Sequence, residues 1–574
     1  MNQTVPVQAS PASAAPATPA RRWLALTALM FPVLLIAVDN TVLSFAVPAI
    51  TLALAPSSTE LLWIVDVYAL VLAGLLVPMG SIGDRIGRRR ILLIGATGFA
   101  AVSAAAAFAT TPGQLIAARA LIGVFGSMIM PATLSLIRNI FSDDRERRLA
   151  VAIWAAVFSG GAALGPLAGG ALLSHFAWGS VFLVAVPMLV PALLLAPLLV
   201  PESRDPAPSP VDPASIALVV GAAVALVWGI KELAHDAGAL AAAAILLGLG
   251  LGALFVRRQL ARAARGKGPM LDVRLFARAA FSAGLAANLL SIFSLVGFMY
   301  FLSQHLQLVA GKAPLEAGLL MVPGMALSVA AGLAAVRLAA RFSVASVMVA
   351  GLLVNASGYA VVLAFGRDGS LPALLVGFAV VGAGVGLAET LSNDLILASV
   401  PPAKAGAASA ISETAYELGA VLGTAVLGSI LGAAYRLGVH VPAGLPAEAA
   451  ARARETLGGA VDAAAHLPAD AASALLDSAH RAFDSGVAYT SAIGAALLVA
   501  AAVVVHRALR APSPAKVTAN CRVDAGAGAS HPRQPDNSRG EAPSRGARRL
   551  GAQRTFALRN ATARDHARSA ASGR

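Results

Sequence analysis

Fourteen apolar runs, most of about 20 residues, leave this chain few ways to fold. They cover approximately residues 23–50, 60–80, 91–110, 112–137, 149–173, 178–200, 213–230 and 239–256, then 280–305, 314–337, 345–366, 372–399, 407–434 and 487–507. A run of that length crosses the hydrocarbon of a bilayer as a helix, whereas a barrel strand would show alternation over about 10 residues. With 58% hydrophobic residues among 574 and a mean hydropathy of +0.76, the chain reads as an all-α polytopic membrane protein. The run from Trp23 is too long for a cleaved signal peptide and is read as the first membrane helix.

Charge supplies the orientation. The segment from Gly80 to Arg90 carries Asp84 and four arginines, Arg85, Arg88, Arg89 and Arg90, between the second and third runs. Arginines so concentrated resist translocation, so this loop is expected in the cytoplasm, and the even number of spans then puts both termini there. The basic segments 138–148 and 257–278 agree, while the turns near Pro112 and His175 carry almost no charge. Glycines at Gly80 and Gly87 let the chain turn tightly, and Asp84 beside Arg85 and Arg88 is less costly when paired. The net charge of +14 does not argue for nucleic acid, because residues 511–574 alone hold twelve Lys/Arg against four Asp/Glu. The single cysteine, Cys521, excludes an intrachain disulfide and a cysteine-cluster metal site. No metal or other cofactor is expected.

The expected organisation is a disordered cytoplasmic N-terminus (1–22), a six-helix half (23–200), a linker with two inserted helices (201–260), a second six-helix half (261–510) and a disordered basic tail (511–574). Gly332, Ala335, Arg337 and Arg341 weakly repeat the Gly80–Arg90 pattern between helices ten and eleven, which supports two related halves. An outer loop (435–486) is expected to hold short amphipathic helices.

Ionisable residues within apolar helices are costly, so each is a candidate for function. Asp39 lies near the middle of helix one and Asp66 about one turn into helix two; Glu413 and Glu417 share one face of helix thirteen at i,i+4 spacing. Burial and like charge oppose simultaneous ionisation of such a pair, so one of them should take up a proton readily. Arg119 on helix four needs an acid partner or water; Glu389 and Asp394 on helix twelve are weaker candidates. Trp63 and Tyr68 flank Asp66, and Tyr416 adjoins Glu417, as suits a lipophilic cation; Trp63 would fit an interfacial aromatic belt equally well. Helix five carries Gly161, Gly165, Pro166, Gly169 and Gly170, small residues spaced for close helix contact with a proline that weakens the helix locally.

The Gly80–Arg90 segment resembles the loop between helices two and three of the major facilitator superfamily, Gly-x-x-x-Asp-Arg-x-Gly-Arg-Arg, through Gly80, Asp84, Arg85, Gly87 and Arg88. The glycine run of helix five is similar to that superfamily's antiporter motif. With Leu115-x-x-x-Arg119-x-x-x-Gly123 and fourteen spans, the chain looks like a fourteen-helix drug:proton antiporter. It is nearer to exporters of methyl viologen and quaternary ammonium compounds through Glu60–Tyr68, Trp154, Trp178–Phe182 and Glu413–Gly419. The resemblance implies a major facilitator fold of two six-helix halves plus two inserted helices, a bacterial inner-membrane location, and exchange of cytoplasmic cations for external protons in a cavity between the halves. It implies small cationic substrates, protons and the lipid bilayer as partners, with no nucleic acid and a monomer favoured. Two departures stand out: Ala185 replaces a frequent Asn, and Glu316 sits at the outer end of helix ten instead of within it, which argues against divalent-cation export. A proton symporter and a non-transporting membrane sensor are the alternative functions; an enzyme has no nucleophile, metal cluster or nucleotide loop to support it.

Overall fold

A computed structural model of the chain describes residues 18–205, 211–235, 238–366, 369–401, 405–442 and 445–510. All regular structure among them is helical, and fourteen helices are long and apolar enough to cross a bilayer. They are α1 (Pro19–Leu54), α2 (Ser58–Ile86), α3 (Arg88–Ala106), α4 (Pro112–Ile140), α5 (Arg145–His175), α6 (Ser180–Leu199), α7 (Pro213–Ala234) and α8 (Ala239–Ala264). The remaining six are α9 (Ala279–Val309), α10 (Pro314–Ala339), α11 (Val344–Phe365), α12 (Leu371–Ala398), α13 (Ala407–Gly438) and α14 (Ala469–Arg510). Two large apolar clusters result, one built mainly from α1–α6 and one mainly from α9–α14.

Helix starts follow local chemistry. Ser57 and Glu60 form a reciprocal capping box at α2, with Ser57 N donating to Glu60 Oε2 at 2.9 Å and Glu60 N to Ser57 Oγ at 3.2 Å. Thr111 caps α4 ahead of Pro112, and Asp143 accepts from Arg145 N and Glu146 N at 2.9 Å before α5. Those two amide bonds, the one from Glu146 foremost, hold the Asp143 carboxyl below its usual range.

The Gly80–Arg90 segment is a loop in name only. It comprises the end of α2, Gly87, and the first turn of α3, so Gly80 and Gly83 are helical and only Gly87 leaves the helix. Gly87 has φ +120°, a conformation that disfavours side chains, and a Cβ there would meet the Glu202 carboxylate at 2.7–2.9 Å. Asp84 accepts from Arg88 Nε at 2.7 Å, Arg88 N donates to Ser203 O, and Glu202 accepts from Arg89 N at 3.0 Å. The basic segment is thus latched to the chain leaving α6.

Two other expectations change. The N-terminal helix starts at Pro19, inside the stretch expected to be disordered, and Arg22 pairs with Glu146 at 2.8 Å. The stretch 435–486 does hold short helices, Ala447–Glu455 and Leu457–Ala464, but α13 continues to Gly438 and α14 begins at Ala469, so only a few of its described residues are loop. Leu475, Ala479, Ala482 and Phe483 give the first part of α14 a buried face that a search for continuously apolar runs passes over. The tail expected from residue 511 lies outside the described residues.

The inserted α7 and α8 are tied down by a bidentate pair, Arg258 Nε and Nη2 each 2.9 Å from the Asp212 carboxylate, with Arg262 at 3.3 Å. α7 lies close along α2, where a Cβ at Gly74 would meet Val220 at 2.8 Å.

Candidate functional site

Between the two clusters lies a cavity whose walls include Asn40, Asp66, Tyr68, Arg119, Tyr416 and Thr424. Asp39 and Glu417 are not in the wall itself. Each stands behind it, bound to a residue that is.

Asp39 on α1 is buried, and its Oδ2 lies 2.8 Å from Arg119 Nη1 on α4. The guanidinium also stacks 4.4 Å from the Tyr68 ring centroid and donates to Ile64 O at 3.4 Å. This answers the question posed by an arginine in an apolar helix: its charge is neutralised by an acid and its face is covered by an aromatic ring.

Helix α1 is held against α5 by the glycine run. A Cβ at Gly161 would meet Ala37 at 2.7 Å, one at Gly165 would overlap Thr41 Oγ1, and one at Gly169 would meet Val42 at 2.9 Å. Pro166 has no N–H, so the Ala162 carbonyl lacks its intrahelical donor; Thr41 Oγ1 on α1 donates to it at 3.1 Å. Gly170 faces the other direction, its Cβ position 2.6 Å from Pro314 O on α10. The run therefore sets the seat of Asp39 and one contact between the halves.

On α13, Glu417 is buried and accepts from Asn40 Nδ2 of α1 at 3.2 Å, while its Oε2 has no hydrogen-bond partner among the described residues. Glu413 lies one turn earlier on the same face, half-buried, with Oε1 likewise unpartnered and within electrostatic range of Glu389 on α12. Tyr416 meets Phe158 edge-on at 5.8 Å, and Phe158 stacks on Trp154 at 6.0 Å, an aromatic column running from α5 to α13. Asp394 is exposed and stands apart from this group, and Glu316 pairs with Lys312 at 2.7 Å at the start of α10.

Asp66 on α2 is buried and its Oδ2 is 3.0 Å from Lys231 Nζ on α7; Lys231 in turn sits 4.1 Å from the Trp63 ring centroid. Trp63 thus covers a buried cation as well as lying near the helix end. Reading the sequence missed Lys231 because it falls one residue beyond the apolar run assigned as 213–230. Extending the test for intramembrane charges past that boundary would have found it.

The site has five partly or fully buried carboxylates, Asp39, Asp66, Glu389, Glu413 and Glu417, against two buried cations, Arg119 and Lys231. Such a set can bind organic cations, exchange protons, or do both in competition.

Comparison with known proteins agrees with this architecture. The family model described as Major Facilitator Superfamily matches residues 29–424. The chain is 58% identical over 494 residues to the multidrug efflux pump LfrA of Mycolicibacterium smegmatis, covering 86% of this chain and 97% of that protein. It is 39% identical over 485 residues to the methyl viologen resistance protein SmvA of Salmonella typhimurium, covering 84% and 97%. Among solved structures, an inward-facing bacterial homologue of the lysosomal transporter Spinster shares the fold at TM-score 0.59 and 18% identity, covering 87% of this chain and 100% of that one. The chain belongs to the Major Facilitator Superfamily of membrane transporters.

Proposed function

We propose that this protein is a proton-coupled antiporter that exports lipophilic cations, such as quaternary ammonium compounds, methyl viologen and cationic dyes, across a bacterial inner membrane. The observation that carries the reading is the excess of buried carboxylate around a cavity whose wall includes Tyr68 and Tyr416, above all the unpartnered oxygens of Glu413 and Glu417. A buried carboxylate with no donor is met by a proton or by a cation, and competition between the two is the minimal chemistry of antiport. The names of LfrA and SmvA, a multidrug efflux pump and a methyl viologen resistance protein, support the same substrate class.

In this reading the end bearing Gly80–Arg90 faces the cytoplasm. The contacts between halves support a cavity closed away from that end. Ser303 Oγ donates to Ser44 O at 2.8 Å, Gly170 abuts Pro314, and Arg436 reaches Ser58 Oγ at 2.7 Å, all towards the opposite face.

The test uses purified protein in liposomes with an imposed proton gradient and a fluorescent lipophilic cation. Cation should move against the proton flux and stop when the gradient is collapsed. Movement indifferent to the gradient would defeat the antiport reading.

A further inference from the structure

Lys231 makes the inserted helices part of the site. Its ammonium is fully buried between the Asp66 carboxylate and the face of Trp63. That is the environment in which a carboxylate and an aromatic ring would hold a substrate's ammonium group. A second cavity lies on the side away from the basic segment, with Tyr300, Arg436, Glu455 and Phe483 among its walls. Asp66 lines the first cavity and Lys231 the second, and neither lines the other's. The ion pair thus has one partner on each cavity.

Stability does not account for such a pair. Removing two charges from water costs several kcal/mol, and apolar residues of similar volume often serve as well or better. Lysine is also the cation suited to moving: a compact charge on a flexible four-carbon stem, unlike the planar fork of Arg119. On the wall of the second cavity Glu455 accepts from Ser58 Oγ at 3.0 Å beside Arg436, a carboxylate that a released ammonium would share with that guanidinium.

We infer that the Asp66–Lys231 pair is a charge gate between the two cavities, with Lys231 a tethered cation that occupies the Asp66–Trp63 seat until a substrate cation displaces it. The inference rests on the cation-transport reading above and assigns to α7 a residue of that same path. Its loading step needs no proton gradient, so binding can test it separately from coupling.

The test compares the full-length protein with Lys231→Met and with Asp66→Asn/Lys231→Met. It measures equilibrium binding of ethidium by fluorescence anisotropy and ethidium transport in proteoliposomes. Lys231→Met vacates the seat and should bind ethidium at least tenfold more tightly, with slower turnover because nothing then expels the cation. The double variant removes both charges, should fold, and should lose both the tightening and at least tenfold in transport. Unchanged or weaker binding by folded Lys231→Met would overturn the gate. If Lys231→Met does not fold, the double variant decides: wild-type turnover makes the pair structural and ends the inference, whereas tenfold loss at intact fold upholds it. Gradient-independent transport by the unmodified protein would defeat the antiport reading and leave the binding comparison standing.

Discussion

Replacing Glu417 by Gln removes a proton-accepting group and changes little else. Asn40 Nδ2 donates to Glu417 Oε1 across 3.2 Å, at the long end of the N–H···O range, and the amide oxygen of Gln can accept the same bond. The second position has no donor in the native site, so the new amide N–H there costs at most about 1–3 kcal/mol of buried, unsatisfied polarity. The variant should therefore fold and reach the membrane. Its effect on coupling is larger and can be stated in advance. Each exchanged proton contributes about 1.4 kcal/mol per pH unit, which sustains roughly a tenfold concentration ratio of a monovalent cation in electroneutral exchange. Glu417→Gln should abolish that factor, so that a pH jump across proteoliposomes no longer drives dye accumulation. Direct dye binding to purified protein must be measured alongside, because a carboxylate can serve the cation, the proton or both. If Glu417→Gln accumulates cation with unchanged dependence on the imposed gradient, the assignment fails and Asp39 becomes the principal candidate.

Asp39→Asn strands the Arg119 guanidinium, 2% exposed, without its counter-ion; melting in detergent should show a loss of about 3–5 kcal/mol, and Asp39→Asn/Arg119→Met should recover stability but not transport. Gly165→Ala puts a methyl group on Thr41 and should cost about 1–3 kcal/mol with reduced transport, while Gly160→Ala on the same helix faces open space and should leave melting and transport unchanged. Hydrogen bonds from Arg258 foremost hold the Asp212 carboxyl well below the usual range, so its contribution is complete above the unfolded value of about 3.9 and is lost as pH falls through the lower folded value. The melting difference between the native protein and Asp212→Asn should accordingly stay constant from about pH 5 upward and vanish only in strong acid.

The spans were legible because a bilayer imposes a single length on every crossing helix, and composition alone reports it. The same criterion fails where a helix leaves the hydrocarbon: the first part of α14 mixes Asp470, Asp477, His480, Arg481 and Asp484 with a buried apolar face, so its period carries the signal and its mean hydropathy does not. Within the site, the intramembrane charges Asp39, Asp66 and Arg119 were visible because each violates the apolar rule. Their partners were less so. Arg119 could be expected to seek an acid, but which one depends on how α1 and α4 cross, and Asp66 meets a lysine from a helix that lies outside both repeated halves. The Gly80–Arg90 segment reads as a loop by composition, yet only Gly87 needs a non-helical backbone, the others being glycines that admit neighbouring side chains.

The fasteners within a half and those between halves differ in strength, in the order that alternating exposure of a site requires. Inside the first half, Asp39 and Arg119 form a buried ion pair whose rupture would strand two charges. Between halves, a proline supplies something weaker. Pro166 frees the Ala162 carbonyl for Thr41 inside the first half, and by the same logic Pro48 frees the Ser44 carbonyl, which Ser303 Oγ takes from across the interface at 2.8 Å. Gln307 Nε2 adds a bond to Phe45 O at 3.2 Å, and the rest of that seam includes glycine contacts such as Gly318 on Pro166 and Gly428 on Leu62. Each such neutral hydrogen bond contributes about 0.5–1.5 kcal/mol, the same order as what one proton gains over a pH unit. In the antiport proposed above, a proton or cation settling on Glu413 or Glu417, beside the Asn40 bridge to α1, would shift which face is sealed without disturbing the ion pair that keeps the half rigid.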